Sequence, residues 1–381
     1  MRSLAWLLPV LLSGCALFGS NDGEPPSPLV SFKASAAVDS VWSVDTGRGP
    51  GELFLKLAVA QHQHVLYLCD TRGRVTAVNQ KNGDRLWRVN LSVPLSAGVG
   101  FGDDLVLVAT RKGEVIALKK DNGAERWRAR VGSEVLAPPV AEAGVVVVQS
   151  VDGQLTGFSS ETGKRLWNVE RTEPALSLRG TATPVIVQGV VLTGLATGKL
   201  MAVALRDGRV VWEIPIAQAQ GRTEIERLVD VDAAPLVVGR TLFSAAYQGK
   251  VVAVSLEQGR LLWSRELSTF SSLAADDKNL YLSDGRGHAY ALDQASGATV
   301  WKQERLSGRQ PSAPAVVGAA IAVGDYKGYL HWLAREDGQF MARERIGRSA
   351  ILTPPLVDGD MVYVMTQNGY LDAVRFGTLS P

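Results

Sequence analysis

The chain has 381 residues, of which 39 are glycine and 46% are hydrophobic, and its formal net charge is +2 at neutral pH. Its length would accommodate two or three average domains unless a repeat unites them. A net charge this close to zero gives no support for binding to nucleic acid or to an anionic membrane surface. The many glycines favour a fold of short strands connected by tight turns.

The first 15 residues have the pattern of a lipoprotein signal peptide. Arg2 is followed by an apolar run from Leu4 to Leu12, which is too short to cross a bilayer as a helix. The run ends in the sequence LSGC, in which small residues precede Cys15 in the manner of a lipidation motif. We therefore expect residues 1–14 to be removed and Cys15 to become the acylated N-terminus. An ordinary signal peptide with an incidental cysteine is the alternative.

Residues 15–37 are predicted to be the lipidated cysteine and a flexible tether, because they are rich in Pro, Ser and Gly without periodicity. No Asp follows Cys15. In many Gram-negative bacteria an Asp there retains a lipoprotein in the inner membrane, so we expect an anchor in the outer membrane and a chain that faces the periplasm. The remaining cysteine, Cys69, lies in an apolar strand and is interpreted as a small buried hydrophobe. A catalytic thiol at this position is the alternative.

A repeat with a period of about 40 residues organises residues 38–381. Each copy has a leading glycine, a small residue four positions later, a second glycine, and a tryptophan four positions after that; the first copy is Gly73, Ala77, Gly83 and Trp87. The leading glycines are Gly73, Gly113, Gly153, Gly198, Gly249, Gly287, Gly328 and Gly369. Each copy contains four strand-like segments. The sequence therefore predicts an all-β, eight-bladed β-propeller with four-stranded antiparallel blades.

The seventh and eighth copies depart from the pattern. The seventh has Trp332 at the small position and Ala342 at the tryptophan position, while the eighth ends before its second glycine and its tryptophan. An additional strand around Trp42 precedes the first complete copy. We predict that this strand closes the last blade and so protects a sheet edge. A seven-bladed propeller is the alternative, if the seventh copy forms no blade.

These repeats resemble the PQQ-like propeller repeats of quinoprotein dehydrogenases and of the BamB (YfgL) family. The lipidation motif, the tether and eight compact blades together resemble the BamB family. Two irregular stretches are the most specific: residues 174–180 (PALSLRG) resemble the family's LSLRG loop, and residues 223–232 (TEIERLVDVD) resemble its TEI-x-RL-x-DVD segment. The resemblance implies a non-catalytic scaffold of the outer-membrane β-barrel assembly (BAM) complex, without a cofactor, that binds the POTRA domains of BamA.

In the BamB family these two stretches form the BamA-binding patch, and the matching positions are Leu176, Leu178, Arg179, Asp230 and Asp232. The repeat indicates the same stretches independently, because they are the longest of the connections that follow the tryptophan strands and should emerge side by side on one face. The leucines would be apolar anchors, and the charged residues would give charge complementarity. The alternative is that Arg179 only pairs with one of the two aspartates and stiffens the loops.

Two other classes of protein share this fold. Quinoprotein dehydrogenases resemble one another in an adjacent Cys-Cys pair, a calcium site and a longer chain, and this sequence has no Cys-Cys pair. A generic periplasmic interaction propeller would bind its partner elsewhere.

His62 and His64 share one face of a strand without a cysteine or carboxylate cluster, so we predict no metal site. Contact of exposed strand edges with nascent outer-membrane proteins is left open.

Overall fold

The computed structural model describes residues 25–50, 55, 57–171, 181–218, 222–223, 229–269 and 271–379. Within these ranges 32 strands form eight four-stranded sheets, and every pair of neighbouring strands is antiparallel. The prediction of an all-β, eight-bladed propeller is confirmed. The described part of the chain contains no helix long and apolar enough to cross a membrane.

The chain begins with β1 (Ala36–Asp45), which belongs to the last blade. The other strands follow in chain order, four to a blade except for the last. Blade 1 has β2 (Ala60–His62), β3 (Val65–Cys69), β4 (Arg74–Asn79) and β5 (Arg85–Asn90); blade 2 has β6 (Gly100–Gly102), β7 (Leu105–Ala109), β8 (Glu114–Lys119) and β9 (Glu125–Arg130); blade 3 has β10 (Val140–Glu142), β11 (Val145–Gln149), β12 (Leu155–Ser159) and β13 (Arg165–Val169); blade 4 has β14 (Val185–Val187), β15 (Val190–Gly194), β16 (Lys199–Ala204) and β17 (Val210–Pro215). Blade 5 has β18 (Leu236–Val238), β19 (Thr241–Ala245), β20 (Lys250–Ser255) and β21 (Leu261–Glu266); blade 6 has β22 (Ala274–Ala275), β23 (Asn279–Ser283), β24 (Ala289–Asp293) and β25 (Thr299–Gln303); blade 7 has β26 (Ala315–Val317), β27 (Ala320–Gly324), β28 (Tyr329–Ala334) and β29 (Phe340–Arg345); blade 8 has β30 (Leu356–Asp358), β31 (Met361–Met365), β32 (Tyr370–Thr378) and β1.

The burial of each strand follows its place in the blade. The middle strands are covered on both faces by neighbouring blades, so that β7 is buried along its whole length. The fourth strand lies at the edge, and β5 accordingly alternates between partly buried and exposed residues. The first strands of adjacent blades, such as β6 and β10, contact each other and therefore surround the central axis.

A tryptophan joins each of seven neighbouring pairs of blades. Trp167 of blade 3 donates its indole N–H to the carbonyl of Leu205 in blade 4 at 2.8 Å, and its ring lies against Gly208. A Cβ atom at Gly208 would lie 2.9 Å from the ring, so glycine is needed for this contact as well as for its φ of +73°. The same arrangement occurs at Trp42, Trp87, Trp127, Trp212, Trp263 and Trp301. The repeated tryptophan of one blade and the repeated glycine of the next thus form a single packing contact between neighbouring blades.

In blade 7 the tryptophan and the small residue opposite it exchange places. In a regular blade the tryptophan is paired across the sheet with a small residue, as Trp167 is with Gly157. In blade 7 the large residue is Trp332 of β28 and the small one is Ala342 of β29. Trp332 is completely buried and stacks on Phe376 of blade 8, with ring centroids 6.1 Å apart and planes 8° apart. The degenerate copy therefore forms a full blade, and the seven-bladed alternative is wrong.

The two ends of the described chain close blade 8. Strand β1 pairs antiparallel with β32 from Ala36, opposite Thr378, to Asp45, opposite Tyr370. Trp42 is opposite Ala373 and so completes the pairing of tryptophan with a small residue in the last blade. The predicted role of the Trp42 strand is confirmed.

Residues 25–35 form no strand but lie along blades 6 and 7, and we call them the N-terminal strap. The Ser27 amide donates to the Ser307 carbonyl at 2.9 Å, and Arg309 donates back to the Ser27 carbonyl at 3.1 Å. Phe32 stacks on Phe340 with ring centroids 5.4 Å apart. This part of the predicted tether thus contacts the propeller, whereas residues 1–24, which include the predicted signal peptide and lipidation site, lie outside the described residues.

Candidate functional site

The connections from the fourth strand of one blade to the first strand of the next all emerge on one face, because the strands within a blade alternate in direction. Two consecutive connections are the longest, residues 170–184 between blades 3 and 4 and residues 216–235 between blades 4 and 5. Residues 46–59 between blades 8 and 1 are almost as long as the first of these, whereas other corresponding connections such as 91–99 and 267–273 are much shorter. The expectation of two long neighbouring connections on one face is therefore confirmed.

An ion-pair network ties the start of the first long connection to blade 4. Arg171 donates to Glu213 at 2.9 Å, and Lys199 donates to the other oxygen of the same carboxylate at 2.9 Å. Burial acts to raise the pKa of Glu213, but the hydrogen bonds from Lys199 and Arg171 outweigh it and lower the pKa. Since Glu213 lies on β17, from which the second connection leaves, the bases of both connections are held in a fixed relation. The sequence analysis missed this network, because only the register of β16 and β17 brings Lys199 and Glu213 together.

The end of the second connection is packed into the body of the propeller. Asp230 is 1% exposed and Asp232 is 7% exposed. The Asp230 carbonyl accepts a hydrogen bond from the Tyr247 amide at 2.8 Å, and the Val231 carbonyl approaches Gly194 so closely that a Cβ there would be 2.2 Å from its oxygen. The side chains of Asp230 and Asp232 thus lie beneath the surface instead of extending from the connection. Leu176, Leu178 and Arg179 lie outside the described residues.

A cavity of about 570 Å³ lies at the base of the second connection. Ile216, Val229 and Val252 contribute apolar surface to it, and the ion pair between Lys250 and Glu266 lies at its edge. Because Ile216, Val229 and Val252 are almost completely buried, the accessible wall of the cavity is mainly polar and charged. The sequence pattern did not indicate this cavity, because its walls come from four separate segments of blades 4 and 5.

The other chemically reactive side chains have structural environments. Cys69 is buried, its thiol donates to the Ala97 carbonyl at 3.3 Å, and burial raises the pKa of the thiol to about 12. The interpretation of Cys69 as a buried hydrophobe is confirmed, since a nucleophilic thiol needs a lowered pKa. His62 stacks on Phe101 with ring centroids 4.1 Å apart. Among the described residues, no three His, Cys, Asp or Glu side chains come together as metal ligands would.

Solved structures resemble the propeller closely. BamB from Moraxella catarrhalis aligns with a TM-score of 0.82 and 27% sequence identity, over 89% of this chain and 100% of that structure. Quinohemoprotein alcohol dehydrogenase from Comamonas testosteroni aligns with a TM-score of 0.71 but only 13% identity, over 89% of this chain and 76% of that structure. At that identity the likeness shows the fold alone.

Sequence relatives are more specific. The family model described as outer membrane protein assembly factor BamB matches residues 71–303 and 290–378. The assembly factor BamB of Pseudomonas aeruginosa is 47% identical over 366 residues, which cover 96% of each chain. The one from Escherichia coli is 35% identical over 370 residues, which cover 94% of each chain. The chain therefore belongs to the outer membrane protein assembly factor BamB family.

Proposed function

We propose that this chain is a non-catalytic scaffold of the outer-membrane β-barrel assembly complex and assists the folding and insertion of outer-membrane β-barrel proteins. Its family membership supports this role, because relatives that match almost its whole length are named as outer membrane protein assembly factors. We further propose that it binds the POTRA domains of BamA, with the two long connections as the binding patch.

One observation carries the choice of site: the two longest connections of the propeller are consecutive and open on one face. The network of Arg171, Glu213 and Lys199 holds the points where the two connections leave blades 3 and 4, which supports a fixed location of the patch on the propeller. In this proposal Leu176 and Leu178 are the apolar anchors and Arg179 supplies charge. We propose that Asp230 and Asp232 position the second connection, and their burial supports this role over direct contact with the partner.

The test is capture of BamA from detergent-solubilised membranes by variants of the full chain. We expect Arg179→Glu and Leu178→Ala each to reduce capture strongly, because central anchors dominate the energy of such interfaces. The matched control is Arg348→Glu, an exposed arginine in the corresponding connection between blades 7 and 8. Asp230→Asn should also reduce capture, and its thermal unfolding shows whether the second connection has loosened. Unchanged capture by Arg179→Glu and Leu178→Ala would refute the assignment of the site.

We also propose that residues 1–14 are a signal peptide, that Cys15 is lipidated, and that the anchor holds the propeller at the outer membrane on the periplasmic side. The LSGC motif supports the lipid, and the names of the relatives support an association with the outer membrane. Labelled palmitate should be incorporated into the wild-type chain and not into Cys15→Ser, whereas Cys69→Ser should be labelled normally. Equal labelling of Cys15→Ser and the wild type would rule out lipidation at Cys15.

A further inference from the structure

Four arginines surround a shallow pocket where blade 8 meets blade 1. The pocket has a volume of about 340 Å³ and is lined by Arg48, Arg72, Arg74 and Arg88, together with Asp45, Gly47 and Asn368. It opens on the face that carries the turns between second and third strands, which is also the face of the long connections. The long connections lie several blades away, between blades 3 and 5, so the pocket is a separate feature.

The carboxylates near the pocket are largely used in holding the backbone. Asp70 is buried, accepts from the amides of Arg72 and Arg74 at 2.9 Å, and pairs with the Arg74 Nε at 2.6 Å. Asp45 accepts from the Gly47 amide at 2.8 Å. Four guanidinium groups therefore face two carboxylates, and three of the four carboxylate oxygens already accept N–H hydrogen bonds.

Arg88 has only neutral acceptors. Its Nε donates to the Thr76 hydroxyl at 3.1 Å and one of its terminal nitrogens to the Asp45 carbonyl at 3.4 Å. Among the described residues, no carboxylate forms an ion pair with Arg48, Arg72 or Arg88. Partial burial and the like charges of Arg85 and Arg74 lower the pKa of Arg88. The positive charge in this pocket is thus incompletely compensated.

Two other blades provide an internal comparison, because in blades 2 and 4 the same two positions are occupied by opposite charges. In blade 2 the residues corresponding to Arg74 and Arg88 are Glu114 and Arg128, which pair at 3.4 Å. In blade 4 they are Lys199 and Glu213, which pair at 2.9 Å. Blade 1 alone among these three has two cations there. The repeat thus accommodates a pair of opposite charges at these two positions. The excess positive charge of blade 1 is therefore a local feature, and it is not apparent from the small net charge of the whole chain.

We propose that this pocket binds a phosphate group, with Arg72 and Arg88 as its principal ligands. Guanidinium groups present parallel N–H donors that match the oxygens of phosphate, and charge-assisted hydrogen bonds of this type are among the strongest in proteins. The volume is in the range of small-molecule sites and accommodates a phosphate together with part of its ester substituent. The phosphate belongs either to a free inorganic ion or to a phosphate ester such as a lipid headgroup.

The test is calorimetric titration of the full chain with inorganic phosphate and, separately, with glycerol 3-phosphate, in a chloride buffer. We expect binding of at least one of them. The double variant R72Q/R88Q should lower that affinity by about tenfold or more, because it removes two charge-assisted contacts. The matched control is K112Q/R128Q, which also removes two positive charges, at the corresponding positions of blade 2, and should leave the affinity unchanged. Thermal unfolding of both variants verifies that they are folded.

The outcomes separate the two sources of phosphate. Tighter binding of glycerol 3-phosphate indicates a phosphate ester, and binding of inorganic phosphate alone indicates the free ion; either supports the proposal. The proposal is overturned if neither compound binds, or if K112Q/R128Q loses as much affinity as R72Q/R88Q. Binding of a polyglutamate peptide without any response to phosphate would assign the pocket to an acidic protein partner and would equally overturn it.

Discussion

Seven of the eight junctions between blades are built alike, and the eighth, between blades 7 and 8, is built differently. At a regular junction the tryptophan reaches from the fourth strand of one blade to a glycine turn and a backbone carbonyl of the next, as Trp167 does with Gly208 and Leu205. At the eighth junction Trp332 comes from the third strand and stacks on Phe376. In the described structure its indole N–H has no acceptor.

The closure of the ring explains this difference. The glycine that receives a tryptophan lies in the turn between the third and fourth strands of the next blade. In blade 8 those strands are β32 and β1, which come from opposite ends of the chain, so no turn joins them. A tryptophan at position 342 would therefore find neither the glycine nor the carbonyl. The inverted pair of Trp332 and Ala342 is thus the way in which blade 7 fills a junction that has no receiving turn.

The largest expected effect comes from making blade 7 regular. We predict that the exchange W332A/A342W destabilises the fold by about 3–5 kcal/mol, as much as Trp332→Ala alone, because the relocated indole has no site to occupy. Trp167→Ala at a regular junction should cost a similar amount. Urea-induced unfolding monitored by circular dichroism measures all three. Wild-type stability in the exchanged variant would show that the missing turn is not the reason for the inversion.

A second test compares two glycines that both have a positive φ, only one of which contacts a tryptophan, and so separates backbone strain from that contact. Gly208 and Gly359 both have positive φ, +73° and +62°, but a Cβ at Gly359 would meet nothing within 4 Å. We expect Gly359→Ala to cost about 1–2 kcal/mol from backbone strain alone. Gly208→Ala should cost a further 1–3 kcal/mol or so, because its Cβ would press on Trp167. Equal losses of unfolding free energy would mean that the tryptophan moves aside without cost.

A third test concerns the indole N–H. Trp167→Phe leaves the Leu205 carbonyl without its donor in a buried site, whereas Trp332→Phe removes an N–H that has no acceptor in the described structure. We therefore expect Trp167→Phe to be the more destabilising of the two, by about 1–2 kcal/mol. Both changes remove the same atoms, so the difference in unfolding free energy isolates the hydrogen bond. A greater loss in Trp332→Phe would contradict this account.

The regular part of the fold could be predicted from the sequence because its constraints are local and repeated. A glycine, a small residue, a second glycine and a tryptophan at fixed spacing specify the turns and the joint between blades, and the copy without a tryptophan required the Trp42 strand to complete it. The sequence indicates only one of the two functions of the second glycine. A tight turn follows from the glycine itself, but the contact of the glycine with the tryptophan of the preceding blade depends on the geometry of the ring of blades.

The candidate site was less predictable, because most of its contacts are neither local in sequence nor repeated. Loop lengths follow directly from the spacing of repeats, so the two long connections could be located. The burial of Asp230 and the ion pairs of Glu213 depend on neighbouring blades that are distant in sequence. The N-terminal strap shows the same limit, since its composition indicated a tether while its contacts with Arg309 and Phe340 become evident only when blades 6 and 7 are assembled.

The smallest effect that we predict is a dependence on pH at the irregular side of the ring. His331 of blade 7 is completely buried; its Nε2 lies 3.0 Å from Asp325, and its Nδ1 accepts from the Arg343 Nε at 3.2 Å. These contacts fix the neutral tautomer with its proton on Nε2, because a second proton on Nδ1 would face the Arg343 donor. Burial lowers the pKa of His331 despite its contact with Asp325. Arg343 also donates to the Val30 carbonyl at 3.0 Å and so connects this histidine to the N-terminal strap.

The sign of the effect follows from proton linkage. As the pH falls from about 7.5 to about 5.5, the unfolded chain protonates this histidine near its ordinary pKa of about 6.5, whereas the folded chain takes up this proton less readily, so the free energy of unfolding decreases. His331→Gln removes this contribution and should flatten the pH dependence, whereas His288→Gln, immediately before the corresponding strand of blade 6, should leave the contribution of His331 in place. Urea titrations at the two pH values give the slopes, and hydrogen exchange of the strap amides shows whether the strap loosens as the fold weakens. Identical slopes for the wild type and His331→Gln would mean that His331 titrates alike in the folded and unfolded chains, and the buried contacts with Asp325 and Arg343 would then have no effect on its protonation.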